Sequence, residues 1–332
     1  MKKKLLVFCL VITLIAMLLA GCGGTTQSAT NSNSAAGADS KADVNWPQKD
    51  ITFIVPYNAG GGYDLKARLL AQYMPKYLPK KVNIIVSNVP GADAKIGTIQ
   101  MIKSPADGYT LALVDPLHTA MLELQSGLEG ADPKNLTWLG QITDSPSLVV
   151  VGASSKYKSL NDMKGQKVSF ASSGDNIPAI KSMAKGVGAE ATLVSYNGYP
   201  EACQAVARGD VDVFMGTAES VYKNMTALQG KLLPVALIGG KSSFVPDTKT
   251  VDELGLSSVD GASGRLRVML AGPAKMNPGV AKVIMDAMDK AMKDPEFVAQ
   301  AKKSGFDAAP ISQEELKKAV ESSINAGRLY GK

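Results

Sequence analysis

Val55-Pro56-Tyr57-Asn58-Ala59-Gly60-Gly61-Gly62-Tyr63-Asp64 is a glycine-rich turn that joins an apolar run at 51–55 to a stretch at 64–77, in which Leu65, Leu69, Tyr73 and Tyr77 share one stripe. A short apolar run, a glycine turn and then apolar residues at spacings near four read as strand, loop and helix. Such a turn exposes backbone N–H groups at the positive end of a helix, where an anion binds without a lysine or arginine. A phosphate loop would continue into Gly-Lys-Ser/Thr, whereas this turn continues into Tyr63-Asp64-Leu65. A dinucleotide fingerprint would need a third glycine where Leu65 stands, and Asp64 lies close to where pyrophosphate would sit. A carboxylate site fits better, with Asp64 capping its own helix rather than facing the ligand. Taken alone, the motif is also compatible with a tight turn that binds nothing.

Working outward, strands are expected at 82–86 and 110–114, with a short helix marked by Ile96, Ile99 and Ile102 between them. The βαβαβ order implies an α/β fold with a parallel sheet and helices on both faces. A comparable series follows: strand 167–170, helix 177–185, strand 192–194, helix 199–208, strand 211–215, a helix near 219–228 and strand 233–238. Residues 132–146 lie between the two units, and apolar runs at 148–151 and 268–271 bracket the second. The chain ends in helices: Val280, Val283, Ile284, Ala287, Met288 and Ala291 after Pro278, then 295–304 and 312–326. With no new strand to cover, these helices are expected to return to the first unit. Domain one is then 44–146 plus 268–332, domain two is 147–267, and two segments cross between them. A second strand-to-helix turn, Phe170-Ala171-Ser172-Ser173-Gly174-Asp175-Asn176, offers two hydroxyls, a glycine and helix N-terminal amides. Either serine could equally be a plain N-cap. One such turn per unit argues for a ligand held between the two domains, at the carboxyl ends of the strands.

Composition narrows the chemistry. The 332 residues are 45% apolar and 20% charged, enough for a core in each of two domains. The formal charge is +6, but Lys2, Lys3 and Lys4 precede an apolar leader; without them 36 basic residues become 33 against 30 acidic, a balance of +3. No block of like charge remains, and a nucleic-acid partner is not expected. The single histidine, His118, and three cysteines, Cys9, Cys22 and Cys203, exclude His-rich metal sites, CxxC pairs and catalysis by two histidines. No metal or other cofactor is expected. Residues 1–21 have the layout of a secretory signal peptide, the apolar run being shorter than the ~20 residues a transmembrane helix requires. Leu19-Ala20-Gly21-Cys22 looks like the lipobox of bacterial lipoproteins, which implies diacylglycerol on Cys22 and a membrane anchor. Residues 22–43 would then be the lipidated cysteine and a flexible tether. Cys203 sits in an apolar helical set and reads as a core residue.

A family resemblance covers nearly all of the chain beyond the tether. It is carried by Trp46-Pro47, Ile51-Thr52-Phe53-Ile54-Val55-Pro56-Tyr57, Ala59-Gly60-Gly61-Gly62 with Asp64, Ala67-Arg68, Asn88-x-Pro90-Gly91-Ala92, Pro105-x-Asp107-Gly108-Tyr109-Thr110-Leu111, Ala171-Ser172-Ser173-Gly174 and Gly209-Asp210-Val211-Asp212. In this order they resemble the solute-binding receptors of tripartite tricarboxylate transporters, the Bug proteins. The resemblance implies a two-lobed fold like the type II periplasmic-binding proteins, each lobe a mostly parallel sheet flanked by helices, with two crossover segments. It implies a monomeric extracytoplasmic receptor that closes on a small organic carboxylate and delivers it to one large and one small integral-membrane permease subunit. Carried over by residue, Tyr57, Asn58, Ala59, Gly60 and Gly61 form one wall of the ligand site, and Ser172, Ser173 and Asn176 the other. Tyr196 and Gly198 match a Tyr-x-Gly turn facing the cleft, and Thr217 is a further candidate.

His118 is placed either lining the cleft or on a plain surface or capped-helix position. Arg267, with Arg265, is placed either in the cleft, paired with a second ligand carboxylate, or at the hinge as a solvated charge. Four departures stand out: Asn58 where a small residue or proline is usual, Tyr63 where Thr or Ser is usual, Asp93-Ala94-Lys95 in place of the common Gly-Gly-Asn, and Arg265 and Arg267 where many members carry aromatics. Other readings are a sensing receptor without transport, an adhesive lipoprotein and a serine-based enzyme. The enzyme lacks Gly-x-Ser-x-Gly and any base near Ser172 or Ser173 except the distant His118.

Overall fold

The computed structural model describes residues 45–173 and 175–331. The expected signal peptide, Cys22 and the tether fall outside the described residues, as does Gly174 of the serine turn.

The first parallel trio is β1 (Ile51–Val55), β2 (Ile84–Asn88) and β3 (Thr110–Val114), with β1 in the middle. It is connected through α1 (Gly62–Tyr73) and α2 (Lys95–Ile102). The helix expected over 64–77 divides at Pro75 into α1 and a 3₁₀ turn, Met74–Tyr77, because proline lacks the N–H an α-helix needs. The second trio is β5 (Lys167–Ser172), β6 (Glu190–Ser195) and β7 (Val213–Thr217), with β5 in the middle. Its helices are α4 (Ile177–Val187), α5 (Tyr199–Arg208) and α6 (Ala218–Ala227). α3 (Pro116–Ser126) was not expected. Its sequence signal is short but physical: Asp115 accepts from the Leu117 amide at 2.9 Å and Pro116 occupies the first turn.

The trios are joined by two long strands, and here the sheet is mixed rather than parallel. β4 runs sixteen residues, Thr137–Gly152, absorbing most of the segment read as a connection. Its first part pairs antiparallel with β9 (Arg265–Gly272), from Thr137 opposite Gly272 to Pro146 opposite Arg265. From Ser147 its partners are β7 and β8 (Leu232–Ile238), also antiparallel. Register shifts at Trp138/Gly140 and Gln141/Thr143 break the period-two pattern there, which hides the strand from a periodicity reading. The path across the sheet is β2-β1-β3-β9-β4-β7-β5-β6.

Each trio has its own core. Phe53, Leu70, Leu111, Ile142, Leu270, Ile284 and Phe297 are buried in one cluster; Val149, Phe170, Ile180, Met183, Val213 and Ile238 are buried in another. α7 (Pro278–Lys293) and α8 (Pro295–Lys303) return to the first trio, as expected. α7 starts at Asn277, whose Oδ1 accepts from Gly279 N at 2.8 Å, and it buries Val280, Ile284, Ala287, Met288 and Ala291 on one stripe. Each fully buried large aliphatic contributes about 1.5–3 kcal/mol. α9 (Gln313–Tyr330) lies on α3 and also touches α4 of the second trio. Arg328 of α9 forks onto Glu123 of α3 at 2.7–3.0 Å and reaches Asp132 at 2.9 Å. Cys203 is buried among Ala202, Val206 and Phe214, and burial pushes its thiol up to about 12, which leaves it an apolar core residue.

The α9–α3 seam has no room at Gly327, where a Cβ would stand 2.4 Å from the Leu117 carbonyl. Gly327→Val is expected to cost about 1–3 kcal/mol in urea unfolding by overpacking. An unchanged midpoint would mean that α9 does not dock on α3.

Candidate ligand site

The first wall is the turn between β1 and α1. The helical ladder starts with Leu65 N donating to Gly61 O at 3.0 Å, so the amides of Gly62 and Tyr63 have no carbonyl of their own helix to serve. Asp64 is buried and turned back into the turn: its Oδ2 accepts from Gly60 N at 2.8 Å and from Arg68 Nε at 2.9 Å. Burial raises its carboxyl, but the bonds from Arg68, Gly60 and Asn88 outweigh it and hold the group below its usual range. Gly61 N donates to Asn58 O at 3.4 Å. Asp64 is therefore not the helix cap expected of it: the N-cap is Gly61, which has no side-chain cap bond, and Asp64, inside the first turn, takes the Gly60 amide that the resemblance assigns to the ligand. Asn58, Ala59, Gly60 and Gly61 are exposed at this wall, and the amides of Gly62 and Tyr63 are those that no carbonyl of α1 claims.

Behind the turn, Tyr57 stacks on Tyr63 with centroids 4.4 Å apart, and its hydroxyl lies 3.0 Å from His118 Nδ1. His118 is in the first turn of α3, only 13% exposed, and its Nε2 lies 3.1 Å from Asp93 Oδ2. Burial opposes charge on the imidazole, but Asp93, Asp115 and Asp175 together raise its pKa above the ordinary value. Tyr57 is held well above the usual phenol range by burial and then by Asp115 and Asp93, so it keeps its proton. Asp115 itself is raised to about 7, chiefly by burial. Asp93 sits in a run of left-handed backbone, Ala92 φ 47°, Asp93 φ 53° and Ala94 φ 71°. Three consecutive non-glycine residues in this region cost about 1–2 kcal/mol each. The departure from glycine noted in the sequence thus carries strain, and what it delivers is a carboxylate on His118.

The second wall follows β5. Ser172 is buried and its carbonyl accepts from Tyr196 N at 2.9 Å. Asn176 was expected to face the ligand, yet its side chain braces the turn: Oδ1 accepts from Ser173 N at 3.1 Å, and Nδ2 donates to Ala171 O at 3.1 Å and Met215 O at 2.8 Å. The Ser173 hydroxyl donates to Asp175 Oδ1 at 2.7 Å. Tyr199, at the start of α5 after Gly198 (φ 115°), donates to Asp175 Oδ2 at 2.9 Å. Its ring packs edge-on against Phe214 and covers Gly216, where a Cβ would stand 2.5 Å from the ring. The Thr217 amide points at the Tyr199 hydroxyl, 3.4 Å away, and Thr217 is buried. Tyr196 is half-buried. The wall therefore presents an acceptor, Asp175, with Ser173 and Tyr199 donating to it.

The charge of Asp175 helps to raise the phenols of Tyr57 and Tyr63 and the imidazole of His118, so the serine turn lies near the tyrosine–histidine cluster behind the glycine turn. Neither Asp175, Tyr199 nor Asp93 was singled out from sequence as a site residue. The usable signals were local: Asp175 lies inside the quoted serine turn, and Tyr199 opens a Tyr-Pro helix start after the Tyr-x-Gly turn.

The arginines are elsewhere. Arg265 forks onto Asp144 of β4, with Nε 2.7 Å from Oδ1, and also bonds the Gly239 carbonyl. Arg267 is buried, and its Nη1 donates to Ala319 O at 3.2 Å and Ser323 Oγ at 2.5 Å of α9. Arg267 is thus neither a solvated charge nor turned to a ligand, because its donors are spent on α9 and on Asp144.

His118 is the single histidine, so its NMR titration is unambiguous. Its pKa is expected above the ~6.5 of a free side chain, and Asp93→Asn is expected to lower it. Because the folded value is the raised one, the stability that protonated His118 contributes is full below ~6.5 and is lost as pH rises through the folded pKa. An unmoved titration in Asp93→Asn would remove Asp93 as the cause.

Comparison with known proteins places the fold and the family. The family profile described as "Tripartite tricarboxylate transporter family receptor" matches residues 66–330. The chain is 29% identical over 233 residues to the protein BugT of Bordetella pertussis, covering 63% of this chain and 67% of that protein. A TctC solute-binding protein from Polaromonas superposes with a TM-score of 0.74 at 20% identity, over 86% of this chain and 98% of its own. MatC from Rhodopseudomonas palustris, solved with bound malate, superposes with a TM-score of 0.65 at 20% identity, over 86% and 100%. With its two-walled α/β architecture and a profile match spanning most of its length, the chain belongs to the tripartite tricarboxylate transporter receptor family.

Proposed function

We propose that the chain is an extracytoplasmic receptor that captures a small organic carboxylate between two lobes, 44–146 plus 268–332 and 147–267, and delivers it to a large and a small permease subunit in the membrane. The observation that carries this reading is the opposition of the turn that opens α1, with its helix-start amides, and the Ser173–Asp175 turn across from it. Helix-start amides favour a carboxylate, and closure about β4 and β9 brings the second wall onto it. The malate named for the MatC structure is a ligand of this class. The hydroxyl of Ser173 is committed to Asp175, and both ring nitrogens of His118 face Tyr57 and Asp93, so no serine–histidine pair supports an enzyme. In this reading Cys22 is lipidated after removal of residues 1–21 and the receptor works as a tethered monomer.

A thermal-shift screen of mono-, di- and tricarboxylates against sugars and cations tests it. An acid present at a hundred times its Kd is expected to stabilise the protein by about 2.7 kcal/mol. Binding of a sugar or cation with no response to any acid would sink the reading. For the anchor, Cys22→Ser is expected to move the protein from the membrane to the soluble fraction; retention in the membrane would rule out lipidation at Cys22.

A further inference from the structure

Just beyond the glycine turn lies a groove of about 560 Å3, bordered by α1 on one side and α6 on the other. Gly62, Leu65 and Lys66 line the first side, Glu219 and Tyr222 the second, and Phe244 and Phe306 complete its apolar surface. Lys66 is its exceptional member. Only 8% of the residue is exposed, and no carboxylate or carbonyl lies within hydrogen-bond or ion-pair distance of its ammonium among the described residues. The ammonium lies 5.0 Å from the centre of the Phe306 ring and folds over Gly62, where an added Cβ would stand 3.6 Å from Nζ. Burial pulls its pKa below the ordinary value, and Glu219 on the facing wall opposes this without reversing it. Glu219 is not idle, since it accepts from Ser145 Oγ at 2.8 Å. A buried ammonium that no carboxylate contacts is costly, and an anion placed beside it lowers that cost.

Lys66 Nζ lies over Gly62 at the start of α1, where the helix start also favours negative charge. Leu65, Tyr222, Phe244 and Phe306 form the apolar side of the groove, beside the hydroxyls of Ser220, Thr226 and Ser304, and Glu219 on the facing wall disfavours a second carboxylate. Arg265 and Arg267 are engaged by Asp144 and α9, and Lys223 lines the groove but is exposed to solvent, unlike the buried Lys66. We propose that Lys66 and the first-turn amides of α1 hold the carboxylate of a monoanionic acid whose apolar body lies along Leu65, Tyr222, Phe244 and Phe306. This assignment rests on the receptor reading and selects, within organic carboxylates, for acids with one charged end.

Hexanoate and adipate have the same chain length and differ in the second carboxylate, so titration calorimetry of the intact chain with each tests the proposal. Hexanoate is expected to bind at least about tenfold more tightly than adipate, and Lys66→Met to weaken hexanoate by a similar factor, with Lys66→Arg keeping most of the affinity. Glu219→Gln is expected to tighten adipate. Adipate binding as tightly as hexanoate, or hexanoate indifferent to Lys66→Met, overturns the assignment and leaves the carboxylate receptor standing. Equal losses of hexanoate affinity in Lys66→Met and Glu219→Gln also overturn it, since Lys66 would then act by pairing with Glu219 on closure. If no acid of any kind binds the unaltered chain, the receptor reading falls as well.

Discussion

Asp144 lies opposite Arg267 in the antiparallel register of β4 and β9, and its carboxylate is gripped by Arg265 two residues before it. Within a few residues of this point β4 exchanges β9 for β7 and β8, and β9 begins. The charge cluster therefore stands where the backbone passes from one core to the other. A partly buried ion group of this kind adds little net stability, because desolvation offsets much of its attraction. What it supplies is register: two guanidiniums on alternate residues of β9 and one carboxylate on β4 are matched in a single alignment of the strands. Arg267 extends the same group into α9, so the strand pair, the last helix and the β8 end, through Gly239, share one anchor.

Both turns of the candidate site are braced by their own side chains. Asp64 holds Gly60, and Asn176 joins Ser173 to Ala171 and Met215, so each turn has a buried side chain that uses its own hydrogen bonds to shape backbone. Fixing a turn in advance removes an entropic cost from binding. The walls are not alike in charge. The α1 side offers amides and cationic character, while the second side offers Asp175 as an acceptor. His118 lies beneath the first wall, joined to Tyr57 on one nitrogen and to Asp93 on the other, so its protonation state is coupled to a strained loop.

Much of this was legible from the chain alone. β1, β3 and α5 occupy the residues their patterns predict, because each is a clean apolar run or stripe bounded by Gly, Pro or Asp. The two anion-type turns were visible as glycine and serine between a strand and a helix. The long strand β4 was not, since Gln141, Thr143, Asp144 and Ser145 look like a linker and acquire meaning only through partners more than a hundred residues away. The roles of Tyr199 and Asn176 were similarly tertiary: one depends on the space above Gly216, the other on the carbonyl of Met215. Lys66 is not singled out by the sequence, and only the packing of Phe306 and Glu219 around it shows that it is buried.

The position of β9 has a consequence for the order of events in the life of the chain. This strand is inserted between β3 and β4, yet it is made of residues that follow the whole second trio in sequence. As the polypeptide emerges from its N-terminus, the first trio must wait with an edge of β3 open, and β4 with its first ten residues unpaired, until residue 272 is available. An open apolar edge is a template for mispairing, and the delay spans the entire second core. The first core therefore cannot be completed before the whole second trio has been made, and premature pairing at β3 is the error this arrangement invites.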